Sequence, residues 1–182
     1  LFRSPFRAAG EALARVGLAD RVSLRFGDGL AVLAPGEADT AVLAGMGGAT
    51  IVDILAASPA VVATLSRLIL QPMQAAGAVR RWLAANGWAI VAETLVEEDG
   101  RLYEIIAAEP GPAAEYDPDL YEIGPLLWAR RHPLLPRHLA ALLAQARRVA
   151  AEMAASPRAA ASAKYHDCLA KIARLEEKAA CL

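Results

Sequence analysis

The chain places a glycine-flanked turn at the end of each of two short runs that read as buried strands. Gly27-Asp28-Gly29-Leu30 follows residues 21–26, and Ala44-Gly45-Met46-Gly47-Gly48 closes the run that starts at Thr40. Strand, turn and helix repeated in this order belong to open α/β sheets, whose ligands sit beyond the carboxyl ends of the strands. Glycine at those ends lets the backbone come close to a ligand. A helix over residues 5–16, closed by Gly17, precedes the first unit, and one over 50–57 completes the second. Residues 67–70 begin a third unit, with Gln71-Pro72-Met73 at the strand tip and a helix over 75–86 ended by Gly87. Three such units predict a parallel, doubly wound sheet.

The pattern then changes. Residues 88–96 and 102–108 are strand-like and are joined through Glu97-Glu98-Asp99-Gly100-Arg101, where Asp-Gly is a strong hairpin signal. The sheet is therefore expected to finish in an antiparallel hairpin. Proline, glycine and acidic residues mark 111–124 as a linker. Beyond it, two heptad-like series follow: Leu135, Leu139, Leu142, Ala146, Val149 and Met153, then Tyr165, Cys168, Ile172, Leu175, Ala179 and Leu182. Ser156-Pro157 between them supplies an N-cap and a first-turn proline for the second helix. The tail is expected to be an antiparallel helical coiled-coil hairpin. This gives a partial sheet domain at 1–110, a linker at 111–124 and a helical hairpin at 125–182.

The net charge of −1 conceals a division. Residues 1–124 carry nine basic and sixteen acidic side chains, whereas residues 125–182 carry ten basic and four acidic. A basic tail on an acidic body points to an anionic partner, nucleic acid first, with a solvated helical surface as the other reading. Cys168 and Cys181 stand on one helical stretch, roughly 20 Å apart at about 1.5 Å per residue, so they cannot pair with each other. His132, His138 and His166 are scattered, and no metal site is expected. His132 and His138 flank prolines and read as surface or RNA-facing residues. No apolar run approaches the roughly 18 residues of a membrane span, and residues 1–10 lack the pattern of a signal peptide. A soluble, cytoplasmic protein whose natural start lies upstream of Leu1 is expected.

Several segments together resemble the bacterial tRNA (adenine-22-N1)-methyltransferases, whose Rossmann-like class I domain carries a C-terminal coiled-coil extension. The likeness rests on Ser4-Pro5-Phe6, Gly27-Asp28-Gly29-Leu30, Ala44-Gly45-Met46-Gly47-Gly48, Leu70-Gln71-Pro72, Glu97-Glu98-Asp99-Gly100 and Tyr103-Glu104, in the family's order. A sheet ending in an antiparallel hairpin agrees with class I methyltransferases. The family's first strand, its acidic glycine loop and its second strand have no counterpart in the chain. The proposed catalytic aspartate belongs to that loop, so no catalytic residue is assigned.

The resemblance implies S-adenosyl-L-methionine as cofactor and tRNA as substrate. It places Gly27, Asp28, Gly29, Leu30, Ala44, Gly45 and Met46 at the cofactor. Asp28 would accept from the exocyclic amine of the cofactor's adenine, with Leu30 against the ring; the other reading has Asp28 shape its own turn. Gly47 and Gly48 would face the target base, the other reading being a tight entry into the next helix, and Gln71 and Pro72 would contact the base or the cofactor. Arg130, Arg131, Arg137, Arg147 and Arg148 would hold phosphates, with Trp128 facing RNA and Trp82 and Trp88 in the core. Methylation of another RNA or of a small molecule, and a non-catalytic RNA-binding or dimerisation module, are the alternatives. The basic tail argues against a small-molecule substrate. Oligomeric state stays open.

Overall fold

The computed structural model describes the backbone of residues 3–112 and 114–182, with side chains from Phe6 onward. In the Ser4-Pro5-Phe6 segment, the side chains of Ser4 and Pro5 lie outside the described residues, as does Ala113 of the 111–124 stretch. The chain forms two compact units, one of residues 1–39 and 53–65, the other of 40–52 and 66–182.

In the first unit, helix α1 (Arg3–Arg15) is followed by Gly17 at φ +70°, the left-handed position expected after a helix. Residues 21–26, expected as a strand, join no ladder. Their alternation is real, but Val22, Leu24 and Phe26 are all exposed, and a strand needs a neighbour to take its backbone hydrogen bonds. None of the described segments provides one. A 3-10 turn at Gly29–Val32 buries Leu30, and a one-turn helix, α3 (Pro59–Val62), buries Val61 and Val62. Helix α2 (Gly48–Ala57) begins in the second unit and ends in the first.

The second unit holds a four-stranded sheet. Strands β1 (Thr40–Gly47) and β2 (Arg67–Gln74) pair in parallel; β3 (Trp88–Glu98) and β4 (Arg101–Pro110) form the hairpin. The order is β1-β2-β4-β3, so the returning hairpin strand inserts beside β2. One parallel pair therefore stands where three units were expected, because residues 21–26 do not pair. Asp99 (φ +49°) and Gly100 (φ +75°) both occupy the left-handed region, the signature of a type I′ turn that follows the strand twist. Ala41 and Leu43 of β1, and Leu68 and Leu70 of β2, are buried at alternate positions.

Helix α4 (Ala76–Ala85) carries Val79 and Leu83 into the core together with Arg80, which is fully buried. Its Nε donates to Glu93 Oε1 of β3 and its Nη2 to Glu104 Oε2 of β4, each at 2.6 Å. Nη1 donates to the carbonyls of Tyr121 at 2.9 Å and Glu122 at 3.3 Å. Burial alone would lower the guanidinium's pKa, but Glu104 and Glu93 outweigh it and raise it. Glu93 Oε2 in turn accepts the amide of Leu126 at 2.7 Å.

The tail docks where that network ends. The stretch expected as a linker closes in helix α5 (Leu120–Ile123), with Ile123 fully buried, and runs into α6 (Pro125–Ala129). Helices α7 (Leu135–Ala154) and α9 (Ala163–Ala180) pack against each other as expected, joined through the one-turn α8 (Pro157–Ala160). The buried positions of α7 are Leu135, His138, Leu139, Leu143, Ala146 and Ala150, so Ala150 replaces the predicted Val149, while the predicted Leu142 is half-buried against the same cluster as Leu143. The reason is a second neighbour: Leu135, Leu139 and Leu143 share a cluster with Leu95 of β3 and Leu127 as well as with Leu175 of α9. A helix packed on two partners buries a wider stripe than a two-helix seam. Ser156 starts only α8. The cap of α9 is Ser162, whose Oγ accepts the amide of Tyr165 at 3.3 Å.

His138 is buried, contrary to its expected surface position. Its Nε2 donates to the carbonyl of Ile123 at 3.0 Å, and burial, opposed by Glu104, lowers its pKa and keeps it neutral.

Arg80→Met would strand the buried Glu93 carboxylate and the half-buried Glu104 and should destabilise the protein by about 3–5 kcal/mol in urea unfolding. Arg81→Met, at the exposed neighbour paired with Glu122, should cost no more than about 1 kcal/mol. Equal losses at the two positions would contradict the account.

Candidate functional site

The loop bearing Asp28 is tied across its base. Arg25 forms an ion pair with Glu37 and also donates from Nη1 to the carbonyl of Val32 at 2.9 Å, while Glu37 Oε2 accepts the amide of Ala34 at 2.9 Å. Hydrogen bonding from Arg25, with that from Ala34, lowers the Glu37 pKa to about 2. Inside this brace the chain turns tightly. A Cβ on Gly27 would overlap the Val32 side chain, and Gly29 combines φ +51° with a Cβ position 2.8 Å from Ile54 Cγ2. Asp28 occupies the N-cap position of the following turn but makes no side-chain capping bond. Its carboxylate is exposed and takes no hydrogen bond among the described residues. Leu30 is buried.

The second glycine segment lies at the end of β1, in the other unit. Register runs from Ala44 opposite Gln71 to Met46 opposite Pro72, so Gly45 is a bulged residue, at φ +76°. Its amide, outside the ladder, donates to Gln71 Oε1 at 2.9 Å. Gln71 and Pro72 therefore belong to β2 rather than to a turn, and Pro72 is buried. Gly47 begins the exit into α2, and a Cβ there would meet nothing closer than Gln74 Nε2 at 3.5 Å. Gly48 is different. A Cβ would overlap the carbonyl oxygen of Ala75 and stand 2.9 Å from its carbon, so the start of α2 lies directly on the backbone after β2. Ala44 and Gly45 are exposed, Met46 and Gly47 half-buried, and Gly48 buried.

The basic residues of the tail divide into two groups. Arg137 forms an ion pair with Glu97 and donates to the Gly100 carbonyl at 2.8 Å, fastening α7 to the hairpin turn. Arg147 pairs with Glu176 at 2.6 Å. Lys171, Arg174 and Lys178 of α9 meet Glu122, Asp119 and Asp117 at 2.5, 2.6 and 2.7 Å. Burial works against the Glu122 charge, but Lys171 and Arg81 outweigh it and hold the carboxyl below its usual range. Arg130, Arg131 and Arg148, joined by Arg158 and Lys164, are exposed and make no ion pair among the described residues. Trp128 is turned inward, half-buried against the Leu127 and Leu135 cluster, with Lys178 5.5 Å from its ring centroid. Trp88 is buried, as expected, and Trp82 half-buried. His132 Nδ1 accepts the amide of Leu134 at 3.2 Å, a local turn contact. Among the described residues no three His, Cys, Asp or Glu side chains gather as a metal site, and no helix is long and apolar enough to cross a membrane.

The sequence profile of the tRNA (adenine(22)-N(1))-methyltransferase family, TrmK, matches residues 1–177. The chain belongs to this family. The match extends through the helical tail, which had resembled the family in architecture alone. A tRNA (adenine(22)-N(1))-methyltransferase of Bacillus subtilis is 44% identical over 114 residues, covering 62% of this chain and 48% of its own length. The chain spans about half the length of the curated relatives it matches. The crystal structure of the B. subtilis m1A22 tRNA methyltransferase TrmK superposes with a TM-score of 0.80 at 29% identity, covering 97% of this chain and 78% of that one. A Streptococcus pneumoniae protein assigned as a tRNA (m1A22) methyltransferase, solved with S-adenosyl-L-methionine, gives 0.78 at 27% identity, with 97% and 77% coverage. The Rossmann-like α/β class is thereby established.

Sequence reasoning passed over Arg80, Glu93 and the Arg25/Glu37 brace. A signal was present for the first two, since each is a charged residue at an inward position of an otherwise apolar pattern. Glu104 lies in Tyr103-Glu104, one of the segments carrying the family likeness, and the structure gives it a partner in Arg80.

Gly48→Ala should destabilise the protein by about 1–3 kcal/mol through backbone overlap, whereas Gly47→Ala should stay within about 1 kcal/mol of the parent in thermal or urea unfolding. Indistinguishable melting of the two variants would show that α2 does not rest on Ala75.

Proposed function

We propose that this chain is the part of an S-adenosyl-L-methionine-dependent methyltransferase that presents N1 of an adenine in tRNA for methylation, at position 22 as in the family, in the cytoplasm. The observation that carries the reading is the family match over residues 1–177, which includes both glycine segments and the tail. Two local features fit the cofactor. The Asp28 carboxylate is exposed and free of protein donors among the described residues, and the bulged Gly45 has no atom within 4 Å of where a Cβ would stand.

When bound, the cofactor supplies an electrophilic methyl group on a sulfonium. The chain's residues do the rest. The Asp28 carboxylate would accept from the exocyclic amine of the cofactor's adenine, a charge-assisted bond of the stronger kind. Gly45 and Gly47, on either side of Met46, leave the backbone at the strand end without a side chain at those two positions, where the reactants must align. Transfer to N1 uses a ring lone pair, so alignment rather than a strong base limits the rate. An adenine stacked in folded tRNA must first be turned out, at a cost of a few kcal/mol.

Phosphate contacts recover part of that cost. Arg130, Arg131 and Arg148, with Arg158 and Lys164, are the cations left over for the purpose. Arg137 and Arg147 are already held by glutamates, so their contribution to RNA is smaller.

The test uses the full-length protein with unmodified tRNA and S-adenosyl-L-methionine, with methylated nucleosides mapped by mass spectrometry. N1-methyladenosine at one D-arm position is the expected product; cofactor binding without it would redirect the reading to another substrate. Reversing charge at Arg130, Arg131 and Arg148 should weaken tRNA binding and reduce the slope of log K against log salt by about one per lost phosphate contact. An unchanged slope would remove these residues from the interface.

A further inference from the structure

We propose that Gln71 is a positioning residue for methyl transfer: its side-chain amide oxygen fixes the bulged backbone at Gly45, an inference that rests on the methyltransferase reading above. The parallel ladder is in register up to Ala44 opposite Gln71, skips Gly45, and resumes with Met46 opposite Pro72. Both strands lose regular pairing at this point. Pro72 has no N–H to donate, and the Gly45 N–H is carried out of the ladder by the bulge. Gln71 Oε1 accepts that N–H at 2.9 Å, which ties the exposed bulge to the neighbouring strand.

The bond also orients the carboxamide. A backbone N–H can only donate, so the oxygen end of Gln71 faces Gly45 and Nε2 faces away, 3.5 Å from the weak acceptor Met73 Sδ. Gly45 needs this support. At φ +76° with nothing within 4 Å of a Cβ position, no packing holds it, and glycine has many other conformations open to it. A bulge free to relax would move Met46 and Gly47 relative to the reacting atoms. The loss should fall on kcat more than on KM, because binding energy elsewhere on the tRNA is untouched.

Two substitutions in the full-length protein separate this role from direct contact with substrate. Gln71→Met removes acceptor and donor at similar length. Gln71→Glu keeps an acceptor for Gly45 and removes the donor. The positioning role predicts that Gln71→Met speeds hydrogen exchange at the Gly45 amide and lowers kcat by about 10- to 100-fold, with KM for tRNA and cofactor within about twofold of the parent. Gln71→Glu should restore both the exchange protection and most of kcat. If Gln71→Glu protects Gly45 yet loses as much kcat as Gln71→Met, the side chain acts through its NH2 group and the proposal is overturned. Unchanged exchange in Gln71→Met would overturn it as well. Exchange is read without turnover, so a parent protein that protects Gly45 but methylates no tRNA would locate the failure in the methyltransferase reading instead.

Discussion

A single buried cation organises the larger unit. Arg80 leaves α4 and ends between Glu93 of β3, Glu104 of β4 and two carbonyls of α5, while the second oxygen of Glu93 holds the Leu126 amide at the start of α6. Helix, hairpin and the entry to the tail are thus joined by hydrogen bonds around one fully buried guanidinium. Buried ion pairs contribute little net stability compared with apolar packing of the same volume. What this one supplies is a set of mutually satisfied partners: Arg80 serves both carboxylates, and the α5 carbonyls accept from its Nη1. His138, donating to the Ile123 carbonyl beside Glu104, extends the same polar core to α7.

The consequence for function is that the helical tail and the sheet share one core. Leu95 of the hairpin packs with Leu127, Leu135, Leu139 and Leu175, and outside this cluster Arg137, Lys171, Arg174 and Lys178 add ion pairs at the surface. A tail fixed in this way presents its unpaired arginines at a constant distance from the strand ends of the same unit. Those strand ends are themselves locked: Gly48 lies on the backbone of Ala75, and Gly45 is held by Gln71. Rigid placement suits a reaction limited by alignment.

The sequence made much of this legible, and its omissions share a cause. The hairpin followed from Asp99-Gly100, since only a type I′ turn asks for two left-handed residues in succession, and β1, β2 and α4 followed from apolar runs between glycines. The alternation at Val22, Leu24 and Phe26 misled, because periodicity reports a preference for extended backbone and not the presence of a neighbour to pair with. Val149 stood in for Ala150, and Leu143 was missed beside Leu142, for a related reason: a heptad written for two helices does not count the hairpin as a third surface. At the candidate site, the glycines were visible and their purposes were not. Gly47 and Gly48 look alike in sequence, yet only Gly48 is pressed against the backbone that follows β2. The bond from Gly45 to Gln71 joins segments whose closeness depends on register, which no local pattern encodes.

The central claim is that the buried Arg80 network makes hairpin and tail one cooperative body. Native-state hydrogen exchange on the full-length protein, followed as denaturant is raised, tests it most directly. The account predicts that core amides of β3 and β4 and those of α7 around Leu139 and Leu143 open together, with the same free energy and denaturant dependence. Exchange of the α7 amides through a separate, lower-energy opening while the hairpin stays protected would contradict it.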